Sequence, residues 1–288
     1  MSLLCIALFL AVVSITLASN FNSSQAMISL YLSSATFCNV STYGSRVYTG
    51  PTEGFVWTST INSLYGTVGF VGYLPSDQSI YIAFRGSSSA RNWLSDLDVL
   101  KVSYDSFPQC ECQVSKGFYS AEQSVLPHVL REVSKLKALH PHYAVKVTGH
   151  SYGAAIAQLL SMDLAKAGIA SSVINFGQPR TGDAKYAQFV GQHFATSGFP
   201  ETWRVVHNRD IVPHWPFNQY LNYSHVCTEE WEDETGALRT CGSTSSSDGF
   251  SVCEDPTCSD QFKPHEWRPD DHMTYLGLYI SCDSVSLD

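Results

Sequence analysis

Five consecutive residues, Gly149-His150-Ser151-Tyr152-Gly153, fit the pattern G-x-S-x-G. In that pattern a serine on a sharp strand-to-helix turn presents its hydroxyl as a nucleophile. The context meets the requirement, since an apolar β-rich run, Ala144 to Thr148, precedes the turn and an Ala-rich helical stretch, Ala154 to Ala167, follows it. The turn forces Ser151 into strained dihedrals and brings backbones close together, which favours residues without a β-carbon at 149 and 153. A serine hydroxyl is a weak nucleophile near neutral pH. It needs a general base, and the base needs an anion that fixes its tautomer and stabilises the imidazolium.

In a strand-turn-helix arrangement of this kind the chain order is serine, acid, histidine. Asp210 closely follows a strand-like run, Trp203 to His207, whose end would present it beside the serine turn. Asp183 competes for the role, but its position suits capping the helix that begins there. The downstream histidines are His214, His225, His265 and His272. His214 lies too near Asp210 to sit on a separate loop, and His265 lies just past a cysteine-rich region of irregular sequence. His150 reads as a structural neighbour inside the turn.

The elements that must position these residues follow from the rest of the chain. Of 288 residues, 44% are hydrophobic and 12% aromatic, enough for a large core and against extended disorder. Strand-like runs at Ile80 to Phe84, Ala144 to Thr148, Val173 to Phe176 and Trp203 to His207 alternate with helical stretches. Those stretches fall within Ser124 to Leu139, at Ala154 to Ala167 and from about Asp183 to Phe194. The alternation predicts an α/β domain with a mainly parallel sheet. Val125, Val129, Val133, Leu136 and Leu139 recur at helical spacing for packing on that sheet, with Pro127 placed in the first turn. No Pro/Gly/Ser linker divides the first 225 positions, so one domain is expected. From Thr228 to Gln261 the sequence turns acidic and Ser-rich; its cysteines predict a stapled surface excursion.

Lys and Arg total 17 against 26 Asp and Glu, a formal charge of -9 with no basic cluster. Nucleic acid is therefore excluded as a partner class. Leu3 to Val13 is an apolar run of eleven residues, too short to span a bilayer. With Thr16-Leu17-Ala18 it reads as a signal peptide, residues 1–18, cut after Ala18, leaving a single domain over 19–288 that is secreted or held in a secretory lumen. Removing Cys5 from nine cysteines leaves an even eight, as disulfides require. Asn22, Asn39 and Asn222 open Asn-x-Ser sequons that could carry glycans there. Cys110-x-Cys112 lacks the second close Cys/His pair of a structural zinc site. Neither metal nor cofactor is expected.

These motifs together resemble the class 3 lipase family, the secreted lipases of filamentous-fungal type. The resemblance rests on Phe84-Arg85-Gly86-Ser87-Ser88-Ser89, Arg91-Asn92-Trp93-Leu94, Gly117-Phe118-Tyr119 and the serine turn. It continues through Asn175-Phe176-Gly177-Gln178-Pro179-Arg180, Asn208 to His214, Asp271-His272 and Tyr275-Leu276-Gly277. It implies an α/β-hydrolase fold, a mainly parallel central sheet flanked by helices with a nucleophile elbow and a short helical lid, and a triad of Ser151, Asp210 and His272. It assigns the oxyanion hole to Ser87 and to the backbone N–H of Tyr152. Many relatives carry leucine at the position of Tyr152, whose phenol could narrow an acyl pocket. The resemblance also pairs Cys38 with Cys282 and Cys241 with Cys258, leaving Cys227 for Cys253. A ring closed across one residue would be strained, and the partners of Cys110 and Cys112 stay open.

Ser88 to Leu97 places Ala90, Trp93, Leu94 and Leu97 on one helical face with Asn92, Ser95 and Asp96 largely opposite. By resemblance this segment is a lid that opens at a lipid-water interface, and Trp93 and Leu94 argue for long-chain esters. The expected activity is that of a triacylglycerol lipase, with phospholipase A1 or a feruloyl-type esterase as alternatives. An inactive secreted binding protein on the same fold is the remaining class.

Overall fold

The computed structural model describes residues 21–64, 66–87, 99–196, 202–217, 221–242, 244–245 and 251–286. The expected signal peptide, 1–18, and the expected lid, Ser88 to Leu97 with Trp93 and Leu94, lie outside the described residues. Eight strands form the central sheet in chain order: β1 Val56–Asn62, β2 Val68–Leu74, β3 Ser79–Phe84, β4 Ala144–His150, β5 Ser171–Phe176, β6 Thr202–His207, β7 Glu229–Glu232 and β8 Leu238–Cys241. The strands from β3 to β7 run parallel, while β1, β2 and β8 join antiparallel. Helix α1 spans Ser23–Ala35, and α2 Lys116–Leu139, α3 Tyr152–Lys166 and α4 Ala184–Thr196 are the crossovers between parallel strands.

Strand alternation explains how helices cover both faces. Ile80, Ile82, Phe84, Val145 and Val147 pack with Val125, Val129 and Val133 of α2 and with Ile156 and Leu160 of α3. The intervening Tyr81 and Ala83 face the other way, with Leu32 and Ala35 of α1, Tyr43 and Phe70. A period of two along each strand thus meets a helical stripe on either side.

Two expectations need correction. Helix α2 starts at Lys116, eight residues before the predicted stretch; Ser115 caps it by accepting from the Phe118 N–H at 3.5 Å, so Pro127 is interior. The buried stripe begins at Phe118 and Ala121 but includes the acidic residue Glu122, which hides its period in the sequence. Pro127 is exposed, and it has no N–H to give the carbonyl of Gln123, itself an exposed residue. The cysteine-rich region, expected as a surface excursion, supplies β7 and β8 to the main sheet. Its strand β7 is disguised by Glu229, Glu230 and Glu232, all buried and each given a partner: Arg204 at 3.0 Å, the Thr240 hydroxyl at 2.6 Å and the Leu276 N–H at 2.7 Å.

Cys38–Cys282, Cys227–Cys253 and Cys241–Cys258 are joined as disulfides. Cys110 and Cys112, whose partners the sequence left open, bond to one another across Glu111. The Cys38–Cys282 bond closes a separation of 244 residues. In the chain-entropy picture such a loop contributes about 5 kcal/mol. No helix among the described residues is long and apolar enough to cross a membrane.

Candidate active site

Ser151 sits where β4 ends and α3 begins, at φ 57° and ψ -125°. The glycines around it are dictated by distance. A Cβ at Gly149 would lie 2.4 Å from the Gly153 carbonyl, and one at Gly153 would lie 2.4 Å from the Phe84 oxygen at the end of β3. The Ser151 N–H donates to Phe176 O at 2.9 Å, tying the turn to β5. Its side chain therefore stands over the carboxyl ends of the parallel strands, at the positive end of α3.

Asp210 follows β6 and is fully buried. Its Oδ2 accepts from His272 Nδ1 at 2.8 Å and from the Tyr275 hydroxyl, while Oδ1 accepts from the Val212 N–H at 2.9 Å. Burial alone would raise its pKa. The facing His272 and the three hydrogen bonds outweigh that, and hold the carboxyl below its ordinary range. A carboxylate that accepts at Nδ1 fixes the His272 proton there and leaves Nε2 with its lone pair. His272 Nε2 and Ser151 Oγ are both buried, and neither has a hydrogen-bond partner among the described residues.

His272 lies on the 3-10 turn Asp270–Met273, which is anchored to the acid loop. His207 Nδ1 donates to Asp271 O at 2.9 Å, the Arg209 N–H donates to Asp271 Oδ2 at 3.1 Å, and the Arg268 N–H donates to Arg209 O at 2.7 Å. Gly177, at φ 58°, completes the enclosure. A Cβ there would come within 2.4 Å of the Tyr275 hydroxyl and 2.7 Å of His272 Cε1.

The strand end carrying Ser87 abuts the serine turn. A Cβ on Gly86 would lie 3.0 Å from Ser151 Cβ and 2.9 Å from His150 O. Tyr152 opens α3, in the first turn, where backbone N–H groups have no i−4 carbonyl within the helix. Its ring packs 5.7 Å from that of Phe118 on α2 and lies against the core clusters around it. The geometry can accommodate a nucleophile, a base with its orienting anion, and backbone donors for a developing oxyanion.

The competing residues have other tasks. Asp183 caps α4 as expected, accepting from the Tyr186 N–H at 2.9 Å. His214 stacks on Trp267 with ring centroids 4.5 Å apart, and His225 bonds Pro213 O at 2.6 Å. Glu229, Cys241 and Cys258 form a group of close donor atoms, but both sulfurs are in a disulfide and offer no thiolate for a metal. Tyr275 and Gly177 were missed as site residues; both lie within quoted motifs, where an aromatic three residues after the histidine was the available signal.

His150 adds a second tie on the histidine loop. Its Nε2 donates to the His272 carbonyl at 2.8 Å, and the two rings lie 4.4 Å apart. Burial, with the nearby His272 second, pushes the pKa of His150 down to about 3. The folded protein therefore binds fewer protons here than the unfolded chain, whose histidine titrates near 6.5. The contribution is fully present above that value and is lost as pH falls toward about 3. Between pH 7 and 4.5 this is worth about 2 to 3 kcal/mol. His150→Asn should flatten the dependence of urea-unfolding stability on pH over that range; an unchanged slope would show that His150 is not held neutral.

A mainly parallel sheet, a serine at positive φ on the turn after its fourth strand, and an Asp–His pair on loops beyond later strands define the α/β-hydrolase class. Residues 81–220 match the family described as Lipase (class 3). The chain is 34% identical over 229 residues to a lipase of Rhizomucor miehei, covering 77% of this chain and 58% of that protein. It is 29% identical to the secreted mono- and diacylglycerol lipase A of Penicillium cyclopium, over 64% of this chain and 57% of that one. The solved structure of Rhizomucor miehei triacylglyceride lipase superposes with a TM-score of 0.78 at 30% identity, covering 90% of this chain and 96% of that chain. The chain belongs to the class 3 lipase family. It spans somewhat under three-fifths of the length of the curated relatives it matches.

Proposed function

We propose that this chain is a secreted serine carboxylic-ester hydrolase and acts as a triacylglycerol lipase. Ser151 Oγ attacks the ester carbonyl while His272 Nε2 takes its proton, and Asp210 orients and stabilises the imidazolium. The N–H groups of Ser87 and Tyr152, with the Ser87 hydroxyl assisting, receive the oxyanion. His272 returns the proton to the leaving alcohol, and water then resolves the acyl-enzyme by the same steps. The observation that carries this reading is the buried Asp210–His272 hydrogen bond of 2.8 Å beside a serine held at positive φ. A panel of nitrophenyl, triglyceride, phospholipid and feruloyl esters tests it. Triglyceride should be the preferred substrate, and absence of turnover on all four would leave only a binding role.

Four disulfides support passage through an oxidising compartment. Secreted material should begin at Ser19 and yield a peptide linking Cys38 to Cys282 in mass spectrometry; eight alkylatable thiols in the native protein would refute this.

The amphipathic pattern of Ser88 to Leu97 is the basis for a lid that opens at lipid. Exposing Trp93 and Leu94 to water would cost about 3 to 6 kcal/mol, and a lipid surface would relieve it. Activity on triglyceride should rise more than proportionally past the solubility limit, and Trp93→Ser should blunt that rise while sparing short soluble esters. Smooth saturation in both proteins would remove the gating role.

A further inference from the structure

Arg180 closes the Asn175–Arg180 motif and is only 4% exposed, a buried cation outside the proposed triad and oxyanion hole. Every side of its fork is occupied. Nε and Nη2 donate to the two oxygens of Glu254 at 2.9 and 2.7 Å, and Nη2 also lies 3.4 Å from Asp260 Oδ1. Nη1 donates to the carbonyl oxygens of His214 at 2.7 Å and Pro216 at 3.2 Å, and the Arg180 N–H donates to Trp215 O at 3.0 Å.

The two sides of this clamp have different origins. Glu254 and Asp260 belong to the cysteine-rich region, next to Cys253 and two residues beyond Cys258, so both are fixed by disulfides. Arg204, fully buried, reinforces that side by donating to Cys253 O at 3.3 Å and to Glu229 at 3.0 Å. The carbonyls gripped by Nη1 belong to the turn Val212–His214 and its continuation. The same turn supplies the Val212 N–H that holds Asp210 Oδ1. His214 closes the circuit, with Nδ1 3.3 Å from Asp260 Oδ1.

We infer that Arg180, with Glu254 and Asp260, is a positioning device for Asp210, fixing the turn whose N–H aims the carboxylate at His272. The disulfide-stapled region thus serves the reaction through the acid loop. The inference rests on the assignment of Asp210 and His272 proposed above. An irregular loop has no ladder of its own to hold it, and a fork that grips two carboxylate oxygens and two carbonyls together supplies one. If the turn drifts, Oδ1 loses its donor and the carboxylate is free to rotate away from Nδ1. Misplacement of a catalytic group by about 1 Å is worth about 10²-fold in rate.

The test uses a short soluble ester, so that no interface is involved, and the low-field NMR resonance of the His272 Nδ1 proton. Arg180→Met should lower kcat by about 10- to 100-fold with KM within about twofold, and should shift or broaden the resonance. Arg180→Lys, a point charge without the fork, should recover thermal stability but not kcat. Glu254→Gln keeps the shape and most hydrogen bonds; it should fold and show the same pattern with a smaller fall, and it carries the test if Arg180→Met does not fold. A folded variant of lowered melting temperature, with kcat within twofold and an unmoved resonance, would overturn the inference. Wild-type activity that survives Ser151→Ala would instead overturn the catalytic assignment. The resonance, which needs no turnover, still reports on Arg180 in that case.

Discussion

Ser151→Ala should lower turnover by at least about 10⁴-fold, because nucleophile, base and anion act as one unit and removing the attacking atom disables all three. The variant is also a clean one structurally. Ser151 Oγ is buried and has no hydrogen-bond partner among the described residues, so its removal strands no donor or acceptor. The backbone keeps the same φ of 57°, which alanine tolerates no better and no worse than serine. Folding and melting temperature should stay close to wild type while turnover disappears. A folded alanine protein that kept a tenth of the activity would place the nucleophile elsewhere.

Asp210→Asn should cost about as much, near 10⁴-fold in kcat, for a different reason. Nothing is removed in volume, but the site loses its anion. The amide can turn its NH₂ toward His272 Nδ1, which favours the tautomer with the proton on Nε2, where it can no longer accept from Ser151. The Tyr275 hydroxyl and the Val212 N–H, both donors to the present carboxylate, compete for the one remaining amide oxygen. Asp210 is stabilised in its ionised form, so its contribution to stability is present above the ordinary carboxylate pKa and is lost as pH falls through the depressed value. The Asp210→Asn substitution should therefore remove part of the acid lability as well. Tyr275→Phe, which removes only one of the donors, separates anchoring from charge and should cost far less. Single-turnover measurement of the acylation rate checks both, and an asparagine variant within tenfold of wild type would deny Asp210 its role.

The elbow was legible because its chemistry is written in spacing. Two glycines four residues apart flank the serine, and a Cβ at either would sit 2.4 Å from backbone. The parallel strands from β3 to β6 were legible because both of their faces are buried and they read as apolar runs. Strands β1 and β2 went unread. Gly69 and Gly72 interrupt the pattern in β2, where a Cβ would lie 2.1 Å from Ala83 O at the first and 2.4 Å from the Phe55 ring at the second. Strand β7 was hidden by glutamates that are buried only because Arg204, Thr240 and the Leu276 N–H happen to meet them in space. The same limit applies at the site. Spacing could nominate Ser151, Asp210 and His272, but not that Tyr275 shares the Asp210 oxygen or that His150 holds the His272 carbonyl. Those are contacts between segments far apart in the chain, and no sequence period announces them.

The most direct test is covalent labelling with a p-nitrophenyl alkylphosphonate. Attack by a serine oxygen on phosphorus expels nitrophenolate and leaves a stable phosphonyl ester, so release of the dye counts the nucleophile. One equivalent should be released per protein as ester hydrolysis is lost. Trypsin should then place the added mass on the peptide Val147 to Lys166, at Ser151, and Ser151→Ala should take no label. Label on any other residue, or full inhibition without label at Ser151, would contradict a nucleophile at this turn.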